Sequence, residues 1–178
     1  MADHIQNALV FTFKLGMPMI LNPGLLSPLK MGQTLLLFKD AVLKAFPDCN
    51  AVRTDAYGDV IRLIFKSTKR GAFLQAIGAW GEISKEVSKC SHFPSCSLAD
   101  FIHCGIAQGE VMFDNELVIG DVINQSTKFS EEAVRLGFAL VMGEELVPDL
   151  PRIFPIEVYG KKVIGIDFGQ AHHLFDTL

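Results

Sequence analysis

The sequence predicts an α+β domain with a ferredoxin-like βαββαβ core and extra C-terminal strands. Short apolar runs of strand length alternate with longer segments whose apolar residues recur every three or four positions, the spacing of one helix face. The second and third apolar runs are separated only by Tyr57-Gly58-Asp59, which is a hairpin signal. Strand, helix, two strands, helix and strand in this order form the split βαβ arrangement, a sheet with helices on one face.

The bounds of the predicted elements follow from these periodicities and from glycine and proline at their ends. Strands are predicted over 8–15, 51–56, 60–65, 101–106, 110–113, 139–142, 156–159 and 162–168, helices over 32–46, 73–87 and 121–135, and loops over 17–27 and 90–97. His172 and His173 are predicted to lie in a surface tail. No internal repeat or linker interrupts this order, so residues 1–178 are expected to form a single domain.

Composition and charge exclude several classes of protein. The 178 residues are 49% hydrophobic with a net charge of −4, which excludes a disordered chain and predicts no surface for nucleic acid. No apolar run has the length of a membrane span and no basic leader precedes the first strand, so we expect neither membrane insertion nor export. The four cysteines are then expected to be reduced thiols in a cytoplasmic protein.

Three segments, in this order, resemble a known family. They are the hairpin Tyr57-Gly-Asp-Val-Ile-Arg-Leu-Ile-Phe65, the run His103-Cys-Gly-Ile-Ala-Gln-Gly-Glu-Val111, and the run Val118-Ile-Gly-Asp-Val-Ile-Asn124 before a helix. A Gly-Asp pair alone is a common turn, but three such segments on matching elements are more specific. Over about residues 8–170 the chain resembles the catalytic domain of class III adenylate and guanylate cyclases.

The resemblance implies a dimer that binds a nucleoside triphosphate and, if active, Mg²⁺ or Mn²⁺. In the family, two aspartates hold two ions near the α-phosphate and the 3′-hydroxyl. One ion makes the attacking oxygen more nucleophilic, and the other neutralises the charge of the leaving pyrophosphate. An asparagine and an arginine from the partner subunit complete the site, and the planar guanidinium suits the charge that develops on the phosphate. The implied partner is a second copy of this chain or another cyclase domain.

The metal and transition-state positions of the family match this chain in part. The second metal aspartate corresponds to Asp59, and the transition-state asparagine corresponds to Asn124. Lys14 stands where the first metal aspartate is expected, and no carboxylate occurs between residues 3 and 40. The resemblance therefore implies that the metal pair is broken.

Three further family positions differ. Lys128 replaces the arginine, which keeps the charge but loses the bidentate geometry. The two positions that select the purine carry Asp55 and Leu117, a pair that matches neither the adenine-selecting nor the guanine-selecting pattern of the family.

Lys14 and Asp59 are expected to be neighbours, because the first strand and the Gly-Asp hairpin adjoin in this fold. We predict that they form an ion pair, with the lysine charge in the place of a metal ion. Such a pair would weaken Mg²⁺ binding twice, by removing a ligand and by adding a like charge.

Simpler explanations of the same residues remain open. Asp59 is typical of the acceptor residue in a tight turn, and Asn124 is typical of the start of a helix, where it satisfies backbone amides. Lys14 and Lys128 also fit ordinary solvated lysines.

A zinc site is a separate alternative. Its candidate ligands are Cys90, His92, Cys96, His103 and Cys104. Their spacing matches no standard zinc finger, and adjacent residues on a strand face opposite sides, so the sequence favours no zinc.

The sequence thus predicts a degenerate, non-catalytic cyclase homology domain that dimerises and acts as a regulatory or ligand-binding module. The alternative is an active adenylate or guanylate cyclase with an unusual metal site, or one that pairs with a complete partner chain. A diguanylate cyclase relative is a third class, and the lack of a Gly-Gly-Asp/Glu-Glu-Phe signature counts against it.

Overall fold

The computed structural model describes residues 3–16, 27–46, 51–66, 71–89, 98–114, 117–147 and 154–178. The strands within these ranges are β1 (Asp3–Leu15), β2 (Ala51–Tyr57), β3 (Val60–Lys66), β4 (Ile102–Asp114), β5 (Leu117–Ile119), β6 (Phe138–Gly143), β7 (Phe154–Val158) and β8 (Lys161–Asp167). The helices are α1 (Pro28–Lys44), α2 (Ala72–Val87), α3 (Asp121–Leu136) and α4 (Phe168–Asp176), with short 3₁₀ turns at Leu98–Phe101 and Glu144–Leu146.

The eight described strands form one sheet in the order β2-β3-β1-β4-β6-β8-β7, and β5 pairs with β4. β1 is antiparallel to β3 and β4, whereas β4 and β6 are parallel. The order β2-β3-β1-β4, with α1 and α2 as the connections, is the predicted ferredoxin-like core. The α+β prediction is therefore confirmed, and β6, β8 and β7 extend the sheet beyond that core.

The sheet has a hydrophobic core on each face. Alternate residues of β1 point to opposite sides, as in any strand. Phe11 and Phe13 pack in the core that includes Trp80 of α2, together with residues of α1 and α4. Val10 packs in the other core, with Phe129 of α3. α1, α2 and α4 therefore cover one face, and α3 covers the other.

α3 lies directly on the middle of the sheet. A side chain at Gly105 of β4 would overlap backbone atoms of Ser126 and Ser130, so glycine permits this close approach. Beside it, the hydroxyls of Thr12 and Ser126 hydrogen-bond at 2.8 Å in the interior. These contacts fix the helix that carries Asn124.

Several element bounds differ from the predictions for local reasons. α1 begins at Pro28, since the Ser27 hydroxyl accepts from the amide of Lys30 at 3.4 Å and proline occupies the first helical turn. β4 is one strand, because it pairs with β1 over most of its length. The predicted loops at 17–27 and 90–97 lie outside the described residues, except for Ser27.

The histidine pair near the C-terminus was wrongly predicted to be a tail. His172 and His173 belong to α4, which begins with a capping box between Asp167 and Gln170. The His172 ring lies edge-on to the Trp80 ring, with centroids 4.8 Å apart. α4 is thus part of the packed domain.

No helix in the described ranges is long and apolar enough to cross a lipid bilayer.

Candidate functional site

The end of β1 is joined to the β2–β3 turn through the backbone. Lys14 is opposite Val60 in the sheet, and the amide of Leu15 donates to the carbonyl oxygen of Asp59 at 2.9 Å. Gly58 has a φ of +55°, a left-handed conformation that glycine adopts without strain, and so forms the turn. Lys14 and Asp59 therefore lie at the same end of the sheet, and Asp59 is a turn residue.

The predicted ion pair between Lys14 and Asp59 is wrong. Among the ion pairs of the described residues, none of 4.0 Å or less joins these two side chains. A strand side chain stands roughly perpendicular to the sheet, whereas Asp59 belongs to the turn beyond the strand ends. Lys14 is nevertheless half-buried rather than freely solvated.

The charge of Lys14 acts on His103, its neighbour across β1 and β4. Burial lowers the pKa of His103, a hydrogen bond from Nδ1 to the carbonyl oxygen of Phe138 opposes that effect, and the Lys14 charge lowers the pKa further. This hydrogen bond is 2.7 Å long, and the imidazole also contacts the Phe168 ring at 5.5 Å between centroids. His103 is therefore packed in the interior, and its Nδ1 is already hydrogen-bonded.

Two of the candidate zinc ligands, His103 and Cys104, cannot bind the same ion. His103 and Cys104 are consecutive strand residues and point to opposite faces of the sheet. Cys104 is fully buried in the core beneath α1 and α2, where burial raises the pKa of its thiol. Cys90, His92 and Cys96 lie outside the described residues.

Asp55 is neutralised by a neighbour on its own strand. Its carboxylate accepts a hydrogen bond from Arg53 Nε at 2.8 Å, and only 9% of its side chain is exposed. The two residues are two apart on β2 and so lie on the same face of the sheet. The Asp55 carboxylate, which the resemblance places at a purine-selecting position, is therefore already paired.

Arg62 is a site residue that the sequence reasoning missed. It lies opposite both Asp55 and Thr12, on the face covered by α3, and its Nη2 donates to Thr127 Oγ1 at 2.9 Å. Its buried Nε has no hydrogen-bond partner among the described residues. In the sequence, the signal for Arg62 was a charged residue within the otherwise apolar run of β3. Arg62 adds positive charge on the same face as Lys14.

Asn124 and Lys128 lie one turn apart on the exposed side of α3. The Lys128 ammonium is 4.5 Å from the centre of the Tyr159 ring, a cation–π contact. Tyr159 has a φ of +50° in the β7–β8 turn, a left-handed conformation that is unfavourable for a bulky residue. Lys128 is thus held at this turn, and Gly120 rather than Asn124 occupies the N-cap position of α3.

Leu117, at the second purine-selecting position, lies on β5 with 64% of its surface exposed. The nearby side chains of Met112 and Ile119, opposite each other in the β4–β5 pair, are also exposed. An apolar patch therefore occupies this position, and none of its members is a hydrogen-bonding group for a base.

The six residues that the resemblance places in a cyclase site lie in different parts of the single chain. Asp55 lies on β2 and Asp59 lies in the β2–β3 turn, both at the β2 side of the sheet, whereas Lys14 lies on β1. Lys128 contacts the β7–β8 turn, at the other edge, with β1, β4 and β6 between. The Lys128 ammonium thus contacts a turn on the opposite side of the sheet from the Asp59 turn.

The donor set does not fit the two divalent cations that the resemblance implies. Mg²⁺ and Mn²⁺ prefer carboxylate oxygens, and the strand position to which the resemblance assigns the second carboxylate carries Lys14. Asp55, the next carboxylate on this side, is bound by Arg53. Among the described residues no group of three or more His, Cys, Asp or Glu side chains is arranged to hold a metal ion.

Two adjoining clefts lie beside α3, with volumes of about 450 and 500 Å³. Both are lined by Gln108 of β4, Gln125 of α3 and Lys161 of β8. The side-chain oxygen of Gln108 is buried without a hydrogen-bond partner among the described residues. The clefts thus offer space next to the helix that carries Asn124, and the Gln108 oxygen beneath them is buried and unpaired.

Comparison with known proteins gives structural relatives only. No known family model matches the chain, and no curated protein matches it in sequence. A bacterial light-regulated adenylyl cyclase is similar with a TM-score of 0.71 at 12% identity, over 99% of this chain and 57% of that chain. This chain therefore spans little more than half of that enzyme.

Two catalytic domains match over nearly their whole length. The guanylyl cyclase domain of the RhoGC fusion protein from Blastocladiella emersonii, in a monomeric form, has a TM-score of 0.68 at 13% identity, over 92% of this chain and 95% of that one. The adenylyl cyclase CyaB from P. aeruginosa has a TM-score of 0.62 at 16% identity, over 93% and 95%. The chain therefore has the fold of adenylyl and guanylyl cyclase catalytic domains.

Proposed function

We propose that this chain is a degenerate nucleotide cyclase homology domain, which does not form a cyclic nucleotide and acts as a dimerising, ligand-binding regulatory module. The observation that carries the proposal is Lys14, which takes the place of a metal-binding aspartate at the end of β1 next to the Asp59 turn. The fold supports the cyclase part of the proposal, and the altered positions support the non-catalytic part.

The charge at Lys14 opposes metal binding. At an effective dielectric constant of about 20, two unit charges 4 Å apart interact by about 4 kcal/mol, and a divalent cation doubles this repulsion. The same substitution also removes one carboxylate ligand. Asp59 alone is then a weak site for one cation and has no carboxylate partner with which to bridge a second.

The other half of the site is altered too. A lysine at position 128 keeps a positive charge for a phosphate but cannot make the two parallel hydrogen bonds of an arginine. Its ammonium is held by the Tyr159 ring, at the β7–β8 turn. Binding of an anion is thus retained in principle, while stabilisation of a transition state is reduced.

Ligand binding and dimerisation are the remaining parts of the proposal. The resemblance implies a site shared by two subunits, and the contact of the Lys128 ammonium with the β7–β8 turn rather than with the Asp59 turn supports that arrangement. The clefts at Gln108 are large enough for a small ligand, and a nucleoside triphosphate is the ligand that the resemblance implies. We propose binding of a nucleoside triphosphate without a requirement for Mg²⁺, in cyclic-nucleotide-type signalling.

The test uses the purified chain with ATP or GTP, with and without Mg²⁺ or Mn²⁺. We expect no cyclic AMP or cyclic GMP above the level given by Lys128→Ala, and triphosphate binding by calorimetry that is unchanged when the metal is omitted. Steady product formation above that control would overturn the non-catalytic assignment. If neither triphosphate binds, the proposal that the ligand is a nucleoside triphosphate is wrong.

The alternative is an active cyclase that pairs with a chain carrying the missing aspartate. Asp59 and Asn124 favour it, since both family positions are retained. It predicts tight, metal-dependent triphosphate binding and product formation only after a complete cyclase domain is added. The same assay, repeated with such a domain, separates the two functions.

A further inference from the structure

β2 is an open edge of the sheet. Among the described strands it pairs with β3 on one side and with none on the other. Its seven residues include no proline and no lysine, two residues that commonly protect a sheet edge from pairing with another chain. β7, at the opposite edge, has five residues and contains Pro155, which has no amide hydrogen to donate to a further strand. Of these two edges, β2 is therefore the one that can accept another strand.

The two charged residues of β2 are opposite in sign and share one face. Arg53 and Asp55 are two residues apart, in the part of β2 that follows the register shift against β3 and is regularly paired with it. Their side chains are 29% and 9% exposed, and Arg53 Nε lies 2.8 Å from Asp55 Oδ1. Thr54, between them, points to the other face and is exposed. The charge therefore changes sign across Thr54.

We infer that β2 is a self-association edge, at which two copies of this chain pair their β2 strands antiparallel about a two-fold axis at Thr54. Residues equidistant from Thr54 then lie opposite each other. Arg53 of each copy lies opposite Asp55 of the other, because each is one residue from the axis. Each of these charges has an unlike charge beside it on its own strand and another across the pair. A second copy of the chain is therefore complementary in charge to this edge.

The uncharged residues of β2 are compatible with the same register. Thr54 lies opposite its own copy, and opposed threonines hydrogen-bond across antiparallel strands. Val52 lies opposite Ala56, and both are exposed. Moving the axis to Arg53 would oppose two guanidinium groups, and moving it to Asp55 would oppose two carboxylates, which is destabilising in either case. Charge therefore selects the axis at Thr54.

The inference concerns β2 alone and involves no ligand, so it does not rest on the proposed function. Pairing at this edge joins the sheets of the two copies into one and gives hydrogen-bond partners to the backbone groups of β2 that no described strand pairs. One pair of short strands buries less than a standard interface of about 1,200–2,000 Å². We therefore expect a dissociation constant between about 1 µM and 1 mM.

Charge reversal tests the register by sedimentation equilibrium of the full chain, without nucleotide and at low ionic strength. We expect Arg53→Asp and Asp55→Arg each to weaken self-association at least about tenfold, because like charges then lie opposite each other twice in every dimer. An equimolar mixture of the two variants should associate at least as tightly as the wild type, since every opposed pair is then unlike. The double variant Arg53→Asp/Asp55→Arg should associate like the wild type. Circular dichroism checks that each variant is folded.

The matched controls are Arg135→Asp and Glu132→Arg, which reverse the same charges in an ion pair on α3 and should change association less than about twofold. Amide hydrogen exchange of the wild type needs no variant: exchange in β2 should slow as the protein concentration rises, and exchange in β7 should not. Wild-type protein that stays monomeric at millimolar concentration would overturn the edge, as would equal association of the wild type and both single variants. A mixture of the two variants that associates no more tightly than either alone would overturn the register.

Discussion

The ammonium of Lys128 on α3 lies 4.5 Å from the centre of the Tyr159 ring in the β7–β8 turn. Both Tyr159 and Gly160 have positive φ, a turn conformation in which asparagine, aspartate or glycine is usual. An exposed tyrosine is therefore placed in an unfavourable backbone conformation, where it contacts Lys128, the residue that the resemblance to cyclases places at an arginine position. An aromatic ring restricts the lysine but does not neutralise it, so the charge remains available to an anion.

The first prediction concerns this contact. Tyr159→Leu should remove the ring, whereas Tyr159→Phe should keep it. In protein labelled with ¹³C-lysine, we expect the ε-methylene resonance of Lys128 to be shifted upfield in the wild type and in Tyr159→Phe only. A double-mutant cycle with Lys128→Met should give a coupling of about 0.5–1 kcal/mol in unfolding free energy. Zero coupling, with no ring-current shift, would contradict the contact.

The second prediction concerns the charge at the end of β1. Lys14→Asp restores the carboxylate that the family carries and removes the repulsion of a cation. We expect Mn²⁺, measured by calorimetry, to bind this variant at least about tenfold more tightly than the wild type, since a tenfold change needs only about 1.4 kcal/mol. Lys14→Asn, which removes the charge without adding a carboxylate, should fall between them. Equal Mn²⁺ affinity in all three proteins would show that Lys14 does not determine metal binding.

The fold was predictable because periodicity is a local property. The alternating runs of β1 and the one-sided stripes of α1 and α2 are visible in the sequence, and their order defines the ferredoxin-like core. The start of α1 at Ser27-Pro28 and the capping box from Asp167 to Gln170 were also visible, although neither was used. Local signals therefore accounted for most of the sheet and for α1, α2 and α3, but not for α4.

The site was predictable only where it depends on local sequence. The pairing of Asp55 with Arg53 follows from two residues on one strand face. The contacts of Arg62 with Thr127 and of Lys128 with Tyr159 join residues far apart in the chain, and they depend on where α3 lies on the sheet. The absence of a Lys14–Asp59 ion pair likewise depends on the turn, which the motif does not specify.

The third prediction tests how α3 is held on the sheet. Gly105→Ala places a methyl group where backbone atoms of Ser126 and Ser130 lie, and backbone cannot move aside as a flexible side chain can. We expect the free energy of unfolding in urea to fall by about 3 kcal/mol or more. Gly78→Ala in α2 is the control, because a Cβ there would meet no atom within 4 Å, and it should raise stability by about 0.5–1 kcal/mol. A tolerated Gly105→Ala would mean that α3 lies further from β4.

The fourth prediction concerns pH and His103. Burial lowers the pKa of this imidazole below its ordinary value of 6.5. As the pH falls below that value, the unfolded chain takes up a proton that the folded chain does not, so the free energy of unfolding must decrease. The loss ends once the pH is below the lowered pKa, where both states are protonated.

The measurement is urea unfolding at a series of pH values from 8 to 5. His103→Gln, which keeps a donor for the carbonyl of Phe138, should flatten the decrease of stability with falling pH. His173→Gln is the control, since His173 is an exposed residue of α4, and it should leave the decrease as in the wild type. If the pH dependence persists in His103→Gln, the titrating group is a residue other than His103. A dependence of opposite sign in the wild type would mean that the folded protein favours the charged imidazole.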